Sequence, residues 1–238
     1  MKITSETLSR DRFARMAGLM YLLVIAAYVA ADRIRSHIDS TGSFVEIAHR
    51  IAASEHLYRL GLVLQIVEML LTLWLAVGLY VTVRPINRNL AVGALASRMA
   101  EVILGGAWIL LEYTGTYIRL AANHGDGLSA TQYSALAAIT ARTSSAAYNS
   151  SAIFFSMGST VFFYLFLRSQ VLPKWMSWFG LAASVLVTAV CLTKLIAPEY
   201  SATVDPGWMP MGIAEVVTGL WLLFRGAGKS TGDSEATA

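Results

Sequence analysis

The sequence predicts an all-α, polytopic membrane protein: six transmembrane helices with short amphipathic extracytoplasmic helices. Three observations carry this expectation. The 238 residues are 56% hydrophobic and 14% charged, against roughly 25% charged in an ordinary soluble domain. Apolar runs long enough to cross a bilayer recur along the whole chain. Lipid offers no hydrogen-bond partner to an open strand edge, so such runs must be helices.

The chain opens with a basic polar stretch carrying Lys2, Arg10, Arg12 and Arg15, and residues 13–31 follow as the first span. A basic start, an apolar run and AYVAA also fit a signal peptide. The length of the run and the further spans behind it favour a retained helix. Residues 32–56 are polar and outside the membrane. Within them SFVEIAHRIAASEHLYR predicts a short amphipathic helix leading into the second span, with Glu46/Arg50 and Glu55/Arg59 as i,i+4 pairs.

The second span covers residues 57–83 and carries Glu68 near its middle, with Gly61, Gln65, Thr72 and Ala76 on the same face. VRPINRN is a tight basic turn, because Pro85 cannot continue the helix. The third span, residues 87–117, carries Arg98, Glu101 and Glu112. At 100° per residue Glu101 and Glu112 lie about 20° apart, with Arg98 about 60° from the first and about 40° from the second. Ala94, Gly105 and Thr116 share that stripe and Trp108 borders it.

AANHGDGLSATQ is the next polar connection, and residues 133–144 read as a surface helix. The fourth span, residues 146–167, carries Tyr148, Asn149, Ser150, Ser151, Ser156, Ser159 and Thr160. Small hydroxylated residues of this kind let membrane helices approach closely, and packing is favoured here over a polar path. LRSQVLPKW is a second basic turn, residues 175–196 form the fifth span with Lys194 near its end, and APEYSATVDPGWMP reads as a loop. The sixth span, residues 208–224, contains Glu215, and a polar tail follows. In domain terms, residues 1–12 are a cytoplasmic segment, 13–225 one transmembrane domain and 226–238 a disordered cytoplasmic tail.

Orientation follows from Lys and Arg in the connections. With a cytoplasmic N-terminus the inner segments hold Lys2, Arg10, Arg12, Arg15, Arg84, Arg88, Arg168, Lys174, Arg225 and Lys229. The outer ones hold Arg33, Arg35, Arg50, Arg59, Arg119 and Arg142. This bias predicts a multi-pass protein of the bacterial cytoplasmic (inner) membrane with both termini inside. The net charge of +3 is small and spread along the chain, so it is no nucleic-acid footprint.

Charges at bilayer depth are costly and face a bundle interior or a wet cavity. Measured along each helix from its cytoplasmic end, Glu68 lies about 24 Å in, Glu101 about 20 Å, and Arg98 and Glu215 about 15 Å. These four are expected to form one inner cluster that binds a ligand or protons. Three carboxylates around one guanidinium carry net negative charge that a dry core disfavours, and bound protons are the simplest compensation. Glu112 and Lys194 are expected to pair nearer the outer surface. The competing interpretation treats these charges as polar glue, with Arg98/Glu101 neutralising each other at i,i+3.

Absences narrow the chemistry. Cys191 is the lone cysteine, so there is no disulfide and no cysteine metal site. His37, His49, His56 and His124 all fall in outer segments. His49 and His56 are about 10 Å apart along a helix axis, too far for one ion on one straight helix. No membrane histidine is present to ligate haem, and HExxH, GxSxG and glycine-rich phosphate loops are missing. The residues imply no metal site and leave any cofactor unknown, and catalysis is disfavoured.

Four stretches resemble one family: RMAGLMYLLVIAAYVA; the block SEHLYRLGLVLQIVEMLLTLWLAVGLYVTVRPINRNLAVGALASRMAEVILG; FLRSQVLPKWMSWFGLAAS; and GIAEVVTGLWLLFRG. They are similar to the bacterial membrane proteins of domain of unknown function 4386. RPINRNLA followed by Arg98/Glu101 is the most specific part. The resemblance implies a six-span helical protein of the cytoplasmic membrane and no particular reaction. It also implies a histidine shortly before the fourth apolar run, where this chain reads SSAAYNSSA.

Together these features predict small-solute or proton-linked transport, or ligand binding, at Glu68, Arg98, Glu101 and Glu215. The alternative is an accessory or sensor subunit with structural charges, and a weaker one is an intramembrane enzyme acting on lipid or quinone. The expected partners are the bilayer, a small-molecule ligand, and a membrane protein or a second copy of the chain.

Overall fold

The computed structural model describes residues 2–39, 41–124 and 127–227. Six helices there are long and apolar enough to cross a membrane. They are α1 (Lys2–Ile38), α3 (Glu55–Val83), α4 (Arg88–His124), α5 (Ala130–Ser169), α6 (Lys174–Ile196) and α8 (Met209–Arg225). Two short helices, α2 (Phe44–Ala53) and α7 (Ser201–Val204), lie in connections, with 3₁₀ turns on either side of α7.

Local chemistry sets the helix ends. Ser43 caps α2 and Ser129 caps α5, each in a capping box with Glu46 or Gln132 three residues on. Asn87 accepts the Leu90 N–H at 3.0 Å and starts α4 directly after the Pro85 turn. Gln170 closes α5 in the left-handed conformation at φ 55°. At the opposite end of the bundle from α2, the Arg15 guanidinium donates to the carbonyls of Leu223 and Phe224 at the end of α8, each at 3.2 Å. A cation suits that position because the last carbonyls of a helix lack intrahelical partners.

The spans pack in a closed ring. Each touches its neighbours in the order α1, α3, α4, α5, α6, α8, and α8 returns to α1. Closure needs backbones to meet: a Cβ on Gly18 would lie 2.3 Å from Leu223 N and 2.6 Å from Gly219 O. Between α5 and α6, Ser156 shares a hydrogen bond with Thr188 at 2.8 Å, and Thr160 one with Ser184 at 2.9 Å. These hydroxyls serve helix packing. Outward-facing Leu70, Trp74, Ile103, Leu110, Val185 and Ile213 leave an apolar surface suited to lipid.

A second, smaller core lies at the α2 end, where Ile38, Ile51, Tyr58, Leu62 and Leu120 pack together. It exists because α1 and α4 run on past their apolar stretches. At about 1.5 Å per residue, helices as long as α4 and α5 reach some 55 to 60 Å, beyond a hydrocarbon core of about 30 Å.

Two expectations are corrected. Residues 133–144 are no separate surface helix: α5 is unbroken from Ala130 to Ser169, and Tyr133, Ala137 and Ser144 are buried. No glycine or proline interrupts its N-terminal half, and α5 packs on α4. The segment before the sixth span is not an irregular loop but a 3₁₀ turn, α7 and another 3₁₀ turn. The predicted tail lies almost wholly outside the described residues.

Candidate functional site

The inward faces of α3 and α4 carry the polar stripes predicted from helical spacing. On α3, Gly61, Gln65, Glu68, Thr72 and Ala76 are all buried. On α4, Ala94, Arg98, Glu101, Gly105, Trp108 and Thr116 are buried as well. From these stripes Glu68 and Thr72 of α3, and Arg98, Glu101 and Trp108 of α4, line one cavity of about 660 Å³ to which every span contributes. Glu68, Arg98, Glu101 and Glu215 all line it.

Arg98 is the hub. Its Nη1 lies 3.1 Å from Glu101 Oε2, and its guanidinium carbon sits 4.8 Å from the Phe155 ring centroid. Arg98 is 3% exposed, Glu101 7% and Glu68 7%, while Glu215 is half-buried. The Thr72 hydroxyl donates to Glu68 at 3.4 Å. The Ser151 hydroxyl donates to the Glu101 backbone carbonyl at 2.8 Å, tying α5 to α4 at this level. Among the described residues Arg98 Nε and Glu101 Oε2 have no hydrogen-bond partner, the latter despite its ion-pair distance from Arg98. Buried polar atoms of this kind carry a desolvation cost that a bound group can relieve.

The walls above the cluster are aromatic. Trp108 and Tyr148 meet edge to face with centroids 5.1 Å apart. Tyr148 is 6.0 Å from Trp208, and Trp208 is 6.0 Å from Phe155, nearly parallel. Trp108 and Tyr148 also line a second cavity of about 230 Å³, so this pair partitions the two. The smaller one is polar, with Asp39, Glu112, Arg119 and Ser144.

The outer pair does not form. Glu112 binds the Arg35 guanidinium and the Ser144 hydroxyl. Lys194 binds Asp205. Arg35 reaches Glu112 because α1 continues beyond the first span into the polar segment. Lys194 sits in the last turn of α6, and the chain returning toward α8 offers Asp205. Lys194 and Asp205 line the main cavity, whereas Glu112 lines the smaller one. The four histidines are exposed.

The family model for the domain of unknown function DUF4386 matches residues 16–226. The chain belongs to the DUF4386 family. That match covers every wall of the cavity, so the site of this DUF4386 protein is built wholly within the family's domain. No curated protein and no solved structure matches the chain.

Several cavity residues were not among the predicted site residues: Tyr28, Tyr148, Phe155, Trp208 and Asp205. Tyr148, Ser151, Ala152 and Phe155 fall at i, i+3, i+4 and i+7, a spacing that marks one face of α5. Tyr28 and Trp208 carry no such signal, since each stands near the end of an apolar run.

Proposed function

We propose that this protein is a proton-linked transporter or ligand-binding protein whose working site is Glu68, Arg98, Glu101 and Glu215. The supporting observation is their convergence, from three different helices, on one cavity of about 660 Å³. That volume falls within the roughly 300–1,000 Å³ of small-molecule sites. Helix packing alone needs no such cavity, and ionisable groups inside a membrane commonly mark solute or proton pathways. The membrane in question is the bacterial cytoplasmic membrane, with both termini on the cytoplasmic side, as the Lys/Arg bias supports.

Infrared difference spectroscopy of the full chain in lipid, across mildly acidic to mildly alkaline pH, tests this. Carboxylic-acid bands that titrate, and that disappear one by one in Glu68→Gln, Glu101→Gln and Glu215→Gln, are the expected result. Carboxylates that stay ionised throughout, in variants that keep wild-type stability and proton permeability, would instead assign the cluster a structural role. Co-purification of a membrane partner after gentle extraction would then favour an accessory or sensor subunit.

A further inference from the structure

We propose that the cavity binds hydrophobic organic cations, amines or quaternary onium ions bearing aromatic or alkyl groups, with Glu68 and Glu215 as counter-charges and Trp108, Tyr148, Phe155 and Trp208 as the surrounding cage. The inference rests on the preceding reading of the cluster as a binding site and names what it binds.

The charge balance carries the first half. Among the titratable and charged groups on the cavity, α1 supplies Tyr28, α3 Glu68, α4 Arg98 and Glu101, and α5 Tyr148. From the far side α6 supplies Lys194, the segment into α8 supplies Asp205, and α8 itself supplies Glu215. Lys194 pairs with Asp205 and Arg98 with Glu101. Both cations are thereby engaged. Glu68 and Glu215 remain, and among the described residues neither has a cation within ion-pair distance. An anionic ligand would meet these two carboxylates, and a neutral one would leave their compensation to bound protons alone.

The lining carries the second half. The four aromatic rings form a continuous chain of neighbours at 5.1 to 6.0 Å, and Val24, Ile25, Met69 and Met211 complete an apolar wall. Aromatic faces attract cations, and more so where water is excluded. Arg98 over Phe155 already uses one of these rings in that way. Among the described residues no three His, Cys, Asp or Glu groups converge closely enough to hold a metal ion. The carboxylates are instead spaced around a large apolar chamber, which suits a bulky cation of delocalised charge. Such a cation and bound protons neutralise the same two carboxylates, so they compete, which is how binding and proton movement become coupled.

The experiment compares tetraphenylphosphonium with tetraphenylborate, a pair matched in shape and opposite in charge, on the full chain in lipid nanodiscs. Calorimetry reads affinity, and fluorescence quenching of the cavity tryptophans reads location. The phosphonium is expected to bind at least tenfold more tightly than the borate, and its affinity to fall as pH is lowered. Glu68→Gln and Glu215→Gln should each weaken it by roughly tenfold, the equivalent of about 1.4 kcal/mol, and Trp208→Leu by about threefold to tenfold. Equal or tighter binding of the borate overturns the proposal, on unaltered protein and whether or not any variant folds. If no phosphonium binds but the cluster carboxyls still titrate in the infrared, the ligand class falls and the proton site stands. If phosphonium binds with unchanged affinity in both folded glutamine variants and the carboxyls do not titrate, both readings fall.

Discussion

Gly158 is where α5 makes room for the arginine of the cluster. A Cβ there would stand 3.1 Å from the Ala94 carbonyl oxygen and 3.2 Å from both Cγ and Cδ of Arg98. Gly158→Val should therefore push Arg98 off Phe155 and away from Glu101, at about 1–3 kcal/mol for overpacking. Thermal unfolding in detergent measures the loss. Gly106→Ala in α4 is the matched control: a Cβ there meets nothing within 4 Å, so it should be neutral or stabilise by about 0.5–1 kcal/mol. A second residue-scale prediction concerns pH. The Ser43 backbone N–H, then its hydroxyl, holds the exposed Glu46 carboxyl below the ordinary carboxylate range. A carboxyl depressed in the folded state adds stability above its unfolded value, and that stability is lost as pH falls through the folded value. Acidification should fray the first turn of α2, seen as faster amide hydrogen exchange there, and Glu46→Gln should abolish that pH dependence. At this scale the burial of Glu68, Arg98 and Glu101 was legible in the sequence, because helical spacing assigns each residue to a face. The partners of Glu112 and Lys194 were not. Depth along a helix says nothing of what stands opposite, and Arg35 falls in a stretch that reads as a polar connection.

The α1–α8 crossing decides whether the ring closes. Gly18 faces the Gly219 carbonyl, and a Cβ on Gly219 would lie 2.9 Å from Tyr21 Cβ. No rotamer escapes a backbone contact of that kind, so Gly18→Leu should cost about 3 kcal/mol or more. It should also separate α8 from α1, on the side of the cavity that carries Glu215. The expected readout is a lower unfolding temperature together with faster hydrogen exchange in α8, while α4 and α5 keep their protection. Uniform loss of protection across all six spans would mean that the crossing is not a separable element. Helix number and span positions could be read from apolar length, since a bilayer fixes how much chain it takes to cross. The length of α5 could not. Its outer half is rich in Ala, Ser and Thr, which resembles an amphipathic surface helix until α4 is seen to cover it. Ring order was equally hidden, because periodicity gives the inward face of a helix without naming its neighbours.

The start of α1 and the end of α8 lie at one end of the bundle. The Asp11 carboxylate accepts the Ala227 N–H at 3.1 Å, and Arg15 caps the end of α8. An even number of spans requires this; which face of the membrane it is depends on charge. The sequence carries ten basic residues in the segments on the side of the termini and six in those on the other, so the proposed orientation, by the positive-inside rule, has the termini in the cytoplasm. The 660 Å³ cavity has Arg98 and Glu101 nearer that side, Glu68 near the middle of α3, and Tyr28, Lys194 and Asp205 toward the α2 side. On the proposed function, a solute arriving from outside would then pass the Lys194–Asp205 pair before meeting the cluster, and orientation would set the direction of loading. Cysteine labelling of intact cells decides it, and the chain suits the method because its one native cysteine, Cys191, is buried. A membrane-impermeant thiol reagent should label Ser129→Cys, at the start of α5, and leave Asn87→Cys, in the turn between α3 and α4, unlabelled until the cells are permeabilised. The reverse pattern would invert the protein in the membrane, and the cluster would then load from the cytoplasm through the Lys194–Asp205 end.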